Sequence, residues 1–256
     1  MKKNGLLLSF LALSPLSFSL ANTTDISIVN DAAKLSHNGD QSIVTILKKD
    51  SSNLSHIKYD KFNVGSEGMI FNNRLGADTI INEVISQSAS KLNGEVRIEG
   101  KQAKFTLVNP NGIVCESGCS FSNTASANLV VGIEELSDDY IVGRSAGNSK
   151  LIIKNTKNKI AEKLRVSSKN IEITNSYVTA DHFRFDSSSQ MTYESPERSN
   201  IMIDKQSIVQ AGDIDMYLME TDMTIDGRVE GKISGVSSKS TIVTNGYMVN
   251  TYSKPF

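Results

Sequence analysis

Tryptophan is absent from this 256-residue chain, proline occurs four times, histidine three times and cysteine twice. His37, His56 and His182 are too few and too scattered to build a metal centre, since a zinc site needs three or four ligands converging. Basic and acidic side chains nearly cancel, 27 against 28, so the chain lacks the positive excess that marks a nucleic-acid binder. No later stretch approaches about 20 uninterrupted apolar residues, which excludes a membrane-spanning helix. A glycine-rich phosphate loop is missing, and no Ser or Cys pattern makes a histidine a general base, so no nucleophilic, hydride or phosphoryl site is legible. No cofactor and no metal are expected.

What the chain does have is Ser, Asn, Thr, Ile and Val, the material of strands and turns. Short β-type segments run over Ile26–Val29, Ser42–Leu47, Glu95–Ile98, Lys104–Val108, Asn128–Val131, Leu151–Ile153 and Asn170–Thr174. More follow at His182–Phe185, Ile201–Ile203, Ile214–Leu218, Met223–Ile225, Arg228–Ile233 and Thr241–Thr244. Gly, Asn, Asp and Ser clusters between them act as turns. Asp78–Ser88 has enough helix formers for a turn or two, but its β-branched content favours an extended segment.

A weak rhythm marks the second half. Ser176-Tyr-Val-Thr-Ala-Asp, Ser207-Ile-Val-Gln-Ala-Gly-Asp and Met223-Thr-Ile-Asp-Gly-Arg each put a β-branched pair before a turn, 31 and then 16 residues apart. Such spacing fits a solenoid, whose coils cannot bury their apolar edges alone. A β-sandwich also has short strands, and the rhythm alone does not decide between them.

The amino terminus reads as a cleavable leader. Lys2 and Lys3 precede an apolar run from Leu6 to Leu13, and Ser19-Leu20-Ala21 supplies a small-residue cleavage site, so residues 1–21 are expected to be removed after Ala21. The remainder, 22–256, is expected to be one elongated domain, secreted or held at the cell surface after passing through the periplasm. In that oxidising setting Cys115 and Cys119 are expected to form a local disulfide. A zinc reading lacks ligands beside the pair, and a redox reading lacks a nearby basic activator of the thiolate. Gly118 is expected to give the small ring its backbone freedom.

Four segments in order carry a family resemblance. The stretch from Leu54 to Asn73 contains Phe62-Asn63-Val64 and Phe71-Asn72-Asn73, and Ile80-Ile81-Asn82-Glu83-Val84-Ile85 follows. Leu92-Asn-Gly-Glu-Val-Arg-Ile-Glu-Gly-Lys-Gln-Ala-Lys-Phe-Thr-Leu-Val108 comes next, and then Asn109-Pro110-Asn111-Gly112-Ile113. Together they resemble the two-partner-secretion exoprotein domain, the filamentous-haemagglutinin or haemagglutination-activity family. The chain departs from that family in two places. Three residues separate its cysteines where relatives usually have two, and only Arg74–Thr79 stands where many relatives carry an additional Asn-Pro-Asn-Leu element.

The resemblance implies an all-β fold, a right-handed parallel β-helix with an amino-terminal cap and short extra-helical hairpins. Ile171, Ile173, Ile201, Ile203, Ile214 and Met216 would then fill the interior at period two. It also implies a route: the general secretory machinery, then capture of the unfolded chain by a TpsB-type outer-membrane transporter barrel with periplasmic docking domains. Residues 22–132 would carry transporter recognition, short extended segments such as Lys104–Val108 pairing with a strand edge, and 133–256 would extend the helix. Asn109-Pro110-Asn111-Gly112 suits a type I turn, which favours an architectural role, with direct reading by the transporter as the second. By analogy the end use is adhesion or haemagglutinin-like contact with a host-cell or glycan receptor.

An enzyme is the competing reading, because parallel β-helices also host polysaccharide-degrading activities. Asp213 and Asp215 are two apart on a strand and share a face, with Glu220, Asp222 and Asp226 close by. Paired carboxylates serve glycoside hydrolysis or bind calcium. The plainer expectation is a solvated acidic face that discourages edge pairing, with His182 a surface strand residue and no catalytic residue in the chain. A short remnant, or a stand-alone secretion domain without a passenger, remains a further reading of the length.

Overall fold

The computed structural model describes residues 24–137, 140–144, 149–187 and 198–251, and of 133–137 and 140–144 the backbone alone. The expected leader and its cleavage site lie outside the described residues. Among the described residues every regular element is a strand.

The chain winds as a parallel β-helix. A cap opens it: β1 (Asp25–Ile28) runs antiparallel to β4 (Leu54–Asn63), and β2 (Ala33–Asn38) antiparallel to β3 (Gln41–Ile46). Three faces then alternate. The first carries β3, β5 (Met69–Asn73), β8 (Glu95–Gly100) and β11 (Ser120–Ser122); the second carries β4, β6 (Thr79–Val84), β9 (Ala103–Val108) and β12 (Thr124–Val130); the third begins with β7 (Ser90–Leu92) and β10 (Ile113–Glu116). Among the described residues the chain leaves the helix between coils as an antiparallel hairpin, β13 (Ile133–Ser137) with β14 (Tyr140–Arg144).

Beyond the hairpin the third face continues through β15 (Lys150–Lys154), β17 (Asn170–Thr174), β19 (Ser199–Ile203), β21 (Thr221–Ile225) and β23 (Thr241–Thr244). The second face continues through β16 (Lys159–Ser167), β18 (Tyr177–Asp186), β20 (Ile208–Met219), β22 (Arg228–Ser238) and β24 (Tyr247–Asn250), ten strands with β1 of the cap. β16, β18, β20 and β22 are long because each turns a corner. In β18, Val178 and Ala180 point inward, Asp181 and His182 are both exposed, and Phe183 and Phe185 point inward again, so the alternation restarts at the corner.

Period-two alternation builds the interior, since each strand lends every second side chain to the core. Ile113, Leu151, Ile171, Ile201 and Met223 stand in one column, and Cys115, Ile153, Ile173, Ile203 and Ile225 in the next. All are at most 1% exposed. Near the amino end the column is aromatic: Tyr59, Phe62, Phe71, Phe105 and Phe121 meet in a chain of ring contacts 5.0 to 6.4 Å apart. Stacking strands in this way lets each coil satisfy the backbone groups of the next.

Asp78–Ser88 contains β6, so the extended expectation holds there. The rhythm needs correcting. Its 31-residue step is one coil, with Tyr177 opposite Ile208, but the 16-residue step is not, because Ile208 lies opposite Arg228. Met223 belongs to another face, opposite Ile201.

Candidate functional site

Many of the residues that carried the resemblance are folded inward. Asn109 follows β9 and is fully buried. Its amide nitrogen donates to the carbonyl of Ser88 and the hydroxyl of Ser90, both at 2.9 Å, and its amide oxygen accepts from the backbone N–H of Asn111 at 2.9 Å. The Gly112 N–H donates to the Asn109 carbonyl at 3.3 Å and closes the turn. Asn111 donates to the Ser86 carbonyl at 2.7 Å. The corner is thereby stitched to the previous coil along Ser86–Ser90. Gly112 has φ +114°, where side chains are strained, and a Cβ there would stand 3.1 Å from the Lys150 carbonyl of the next coil. Ile113 then enters the core column.

The other motif positions do similar work. Phe62, Val64, Phe71 and Val84 are buried in the core. Asn73 is a second corner amide: it donates to the carbonyls of Ala77 (2.9 Å) and Lys101 (2.8 Å) and accepts from the Ala77 N–H. Asn72 and Asn63 accept from the N–H groups of Arg74 and Lys91. Asn82 lies inside, accepting from the Tyr59 hydroxyl at 2.9 Å and donating to the Thr106 carbonyl at 3.1 Å. Burial pushes the Tyr59 phenol up, so it stays a donor. Ile81 faces outward into a small buried cluster with Val108 and Val130. Glu83 accepts from His56 at 2.8 Å, with Lys58 at 3.8 Å, and these hold its carboxyl below the usual range.

Cys115 and Cys119 are bonded, with Cα atoms 5.4 Å apart, and both are fully buried. The bond takes both thiols out of metal and thiolate chemistry. Gly118 does not supply the turn's unusual dihedral; Ser117 does, at φ +49°. Gly118 is there for space, because a Cβ would stand 2.7 Å from the Asn93 carbonyl.

Asp213 and Asp215 do share an outer face, but that face is not acidic. Asp213 lies 3.1 Å from His182 and 3.9 Å from Lys232, and Asp215 accepts from Ser234 at 2.5 Å. Asp222 is paired with Arg198, Glu220 with Lys239, and Asp226 accepts from Asn245. These carboxylates tie coil to coil. His182 is half-exposed on β18, as expected of a surface strand residue. The inward amides Asn73 and Asn82 were legible only as motif letters; their role depends on which coil lies beside them.

A family model described as the TPS secretion domain matches residues 21–248. The chain belongs to that family. Among curated relatives, the "Hemolysin" of Proteus mirabilis is 33% identical over 141 residues, 47% of this chain and 9% of that protein. The "tRNA nuclease CdiA" of Yersinia mollaretii is 35% identical over 147 residues, 49% of this chain and 5% of that protein. The chain thus spans less than a tenth of the length of these relatives. A crystal structure of the filamentous hemagglutinin secretion domain superposes with TM-score 0.60 at 14% identity, covering 89% of this chain and 97% of that one. At that identity the likeness shows the fold, the parallel β-helix described above. A TPS secretion domain is not itself enzymatic, and as a class these domains imply a TpsB transporter and exoproteins that are secreted or held at the surface of Gram-negative bacteria.

Proposed function

We propose that this TPS domain is read by its transporter while unfolded, through residues 22–132, and that folding outside the cell draws the chain outward. The burial of Asn109 carries the reading. Its side chain uses its hydrogen-bonding groups inside the folded corner, so a partner can reach Asn109 only before that corner closes. Once coils stack, interior columns such as Ile153, Ile173 and Ile203 bury apolar surface at each step, a downhill process that needs no nucleotide. A leader cleaved after Ala21 would take the chain to the periplasm by the general secretory route.

The test is export. Wild type and the double variant Asn109→Ala, Asn111→Ala are each co-expressed with candidate partner barrels, and culture medium is compared with periplasm. Wild type is expected in the medium only when a partner is present, with the variant held back. Export without any barrel, or periplasmic retention with every barrel, would overturn the proposal. The end use we propose is adhesion or haemagglutinin-like contact at a host-cell or glycan surface, read by binding of exported chain to erythrocytes.

A further inference from the structure

Folding seals the disulfide away. Cys115 stands in an inward column between Leu92 of the preceding coil and Ile153 of the next, and Cys115 and Cys119 are both wholly buried. The ring they close is held from both sides. The preceding coil lies against Gly118, where a Cβ would stand 2.7 Å from the Asn93 carbonyl. On the other side the Ser117 N–H donates to the Lys154 carbonyl at 3.2 Å, and the Asn158 amide donates to the Cys119 carbonyl at 3.4 Å. Stacking of residues 154–158 therefore shuts the sulfurs in.

Making the bond is an exchange reaction that needs access. A thiolate attacks the disulfide of an oxidant and forms a mixed disulfide, which the second thiolate then resolves. The intermediate requires the oxidant's sulfur in contact with Cys115 or Cys119, and the folded chain denies that contact. The unfolded chain does not. The two cysteines are four positions apart in sequence, so they meet without help from any coil. Once bonded, they leave the chain single-file on either side of a five-residue ring, whereas a bond from one coil to the next would close a long loop that must cross a pore as a doubled strand.

We propose that this bond is made in the periplasm, on the unfolded chain and before export, by exchange with an oxidant of the dithiol–disulfide class. The oxidant's disulfide takes up the two electrons and two protons that the cysteine thiols lose and becomes a dithiol, and the chain crosses its transporter already carrying the ring. This rests on the reading above, in which the chain reaches the transporter unfolded. The ring then serves the next coil as a preset corner. Among the described residues β11 ends the sheet of the first face with no strand paired beyond it, and the Ser117 N–H and Cys119 carbonyl beside it supply bonds to the following coil.

Thiol trapping tests this. Wild type is produced in cells without a partner barrel and quenched in acid, and the periplasmic chain is denatured and treated with maleimide-linked polyethylene glycol. No adduct is expected before reduction and two after it. Ile173→Asp with Ile203→Asp puts two carboxylates into a fully buried column beyond the ring, and is expected to leave the chain protease-sensitive but still without adducts. A retained wild type that takes two adducts without reductant overturns the proposal. So does an oxidised wild type beside a variant that takes two, because oxidation would then follow folding. Inducing a barrel after a labelling pulse follows the oxidised pool, which is expected to reach the medium; an oxidised pool that stays inside while only reduced chain leaves overturns the proposal as well. If no barrel exports the wild type, the reading of the domain falls, and the thiol state of the retained chain still decides whether oxidation precedes folding.

Discussion

The side-chain amide of Asn109 donates to the hydroxyl of Ser90, 2.9 Å away and one coil earlier. A turn that sequence alone presents as a local corner is thus a rivet between coils. Asn109→Ala strands the Asn111 N–H and leaves Ser90 and the Ser88 carbonyl short of a donor. Of these the Ser90 hydroxyl is fully buried, and leaving it short costs about 1–3 kcal/mol. Asn111→Ala loses the bond to Ser86 in a half-buried position and is expected to cost about 1 kcal/mol. Urea unfolding of each single variant, set beside its export, separates the motif's two roles. An architectural corner makes export fall in step with stability; direct reading makes Asn111→Ala lose more export than its stability loss explains.

The disulfide closes a very small ring, so its removal should cost little. Loop-closure reasoning gives about 2 kcal/mol for a five-residue ring. Cys115→Ser with Cys119→Ser is expected to lower the melting temperature without abolishing folding. Gly118→Ala, with the bond intact, is expected to be comparably harmful at about 1–3 kcal/mol, because its Cβ meets the Asn93 carbonyl. Thermal unfolding with and without reductant checks both.

The fold was legible from the chain because alternation and turn chemistry are local. Asn170–Thr174 and Thr241–Thr244 were expected as strands and are β17 and β23 to the residue. Solenoid against sandwich was not legible that way, since it depends on which strand follows which in space. Family letters settled it. For the same reason the 16-residue spacing misled: Met223 resembles Ser207-Ile-Val in composition, and only register shows that it lies on another face. The paired carboxylates looked acidic because their partners, His182, Lys232 and Ser234, come from neighbouring coils. Ser117 escaped notice because glycine beside it was the more obvious candidate for an unusual dihedral.

Interior columns and outer ladders should respond very differently to the same substitution. Ile173 is fully buried between Ile153 and Ile203, so Ile173→Ala is expected to cost about 2–5 kcal/mol. Glu172, one residue away, points outward and pairs with Lys150 in the neighbouring strand. Glu172→Ala is expected to cost under about 1 kcal/mol, as exposed ion pairs generally do. Equal losses in urea unfolding would mean that the inside-outside assignment of β17 is wrong.

Acid should weaken the amino-terminal coils through Glu83. Its carboxyl is held below the usual range first by the hydrogen bond from His56, and then by the charges of His56 and Lys58, against an opposing contribution from burial. A group whose folded pKa is depressed adds stability that is fully present above its unfolded value, near about 4.3, and lost as pH falls through the folded value. The stability difference between wild type and Glu83→Gln should therefore shrink as pH falls below about 4. Asp31, Asp78 and Asp222 are also lowered, chiefly by hydrogen bonds from Lys48, Lys101 and Arg198, but they sit at the surface where salt screens them. Raising ionic strength should flatten their share of the acid response while leaving most of the part that Glu83→Gln removes, because Glu83 is partly shielded between His56 and Lys58. A difference that stays constant down to pH 3, or that salt erases entirely, would mean that the His56–Glu83 pair contributes nothing to holding the first coils together.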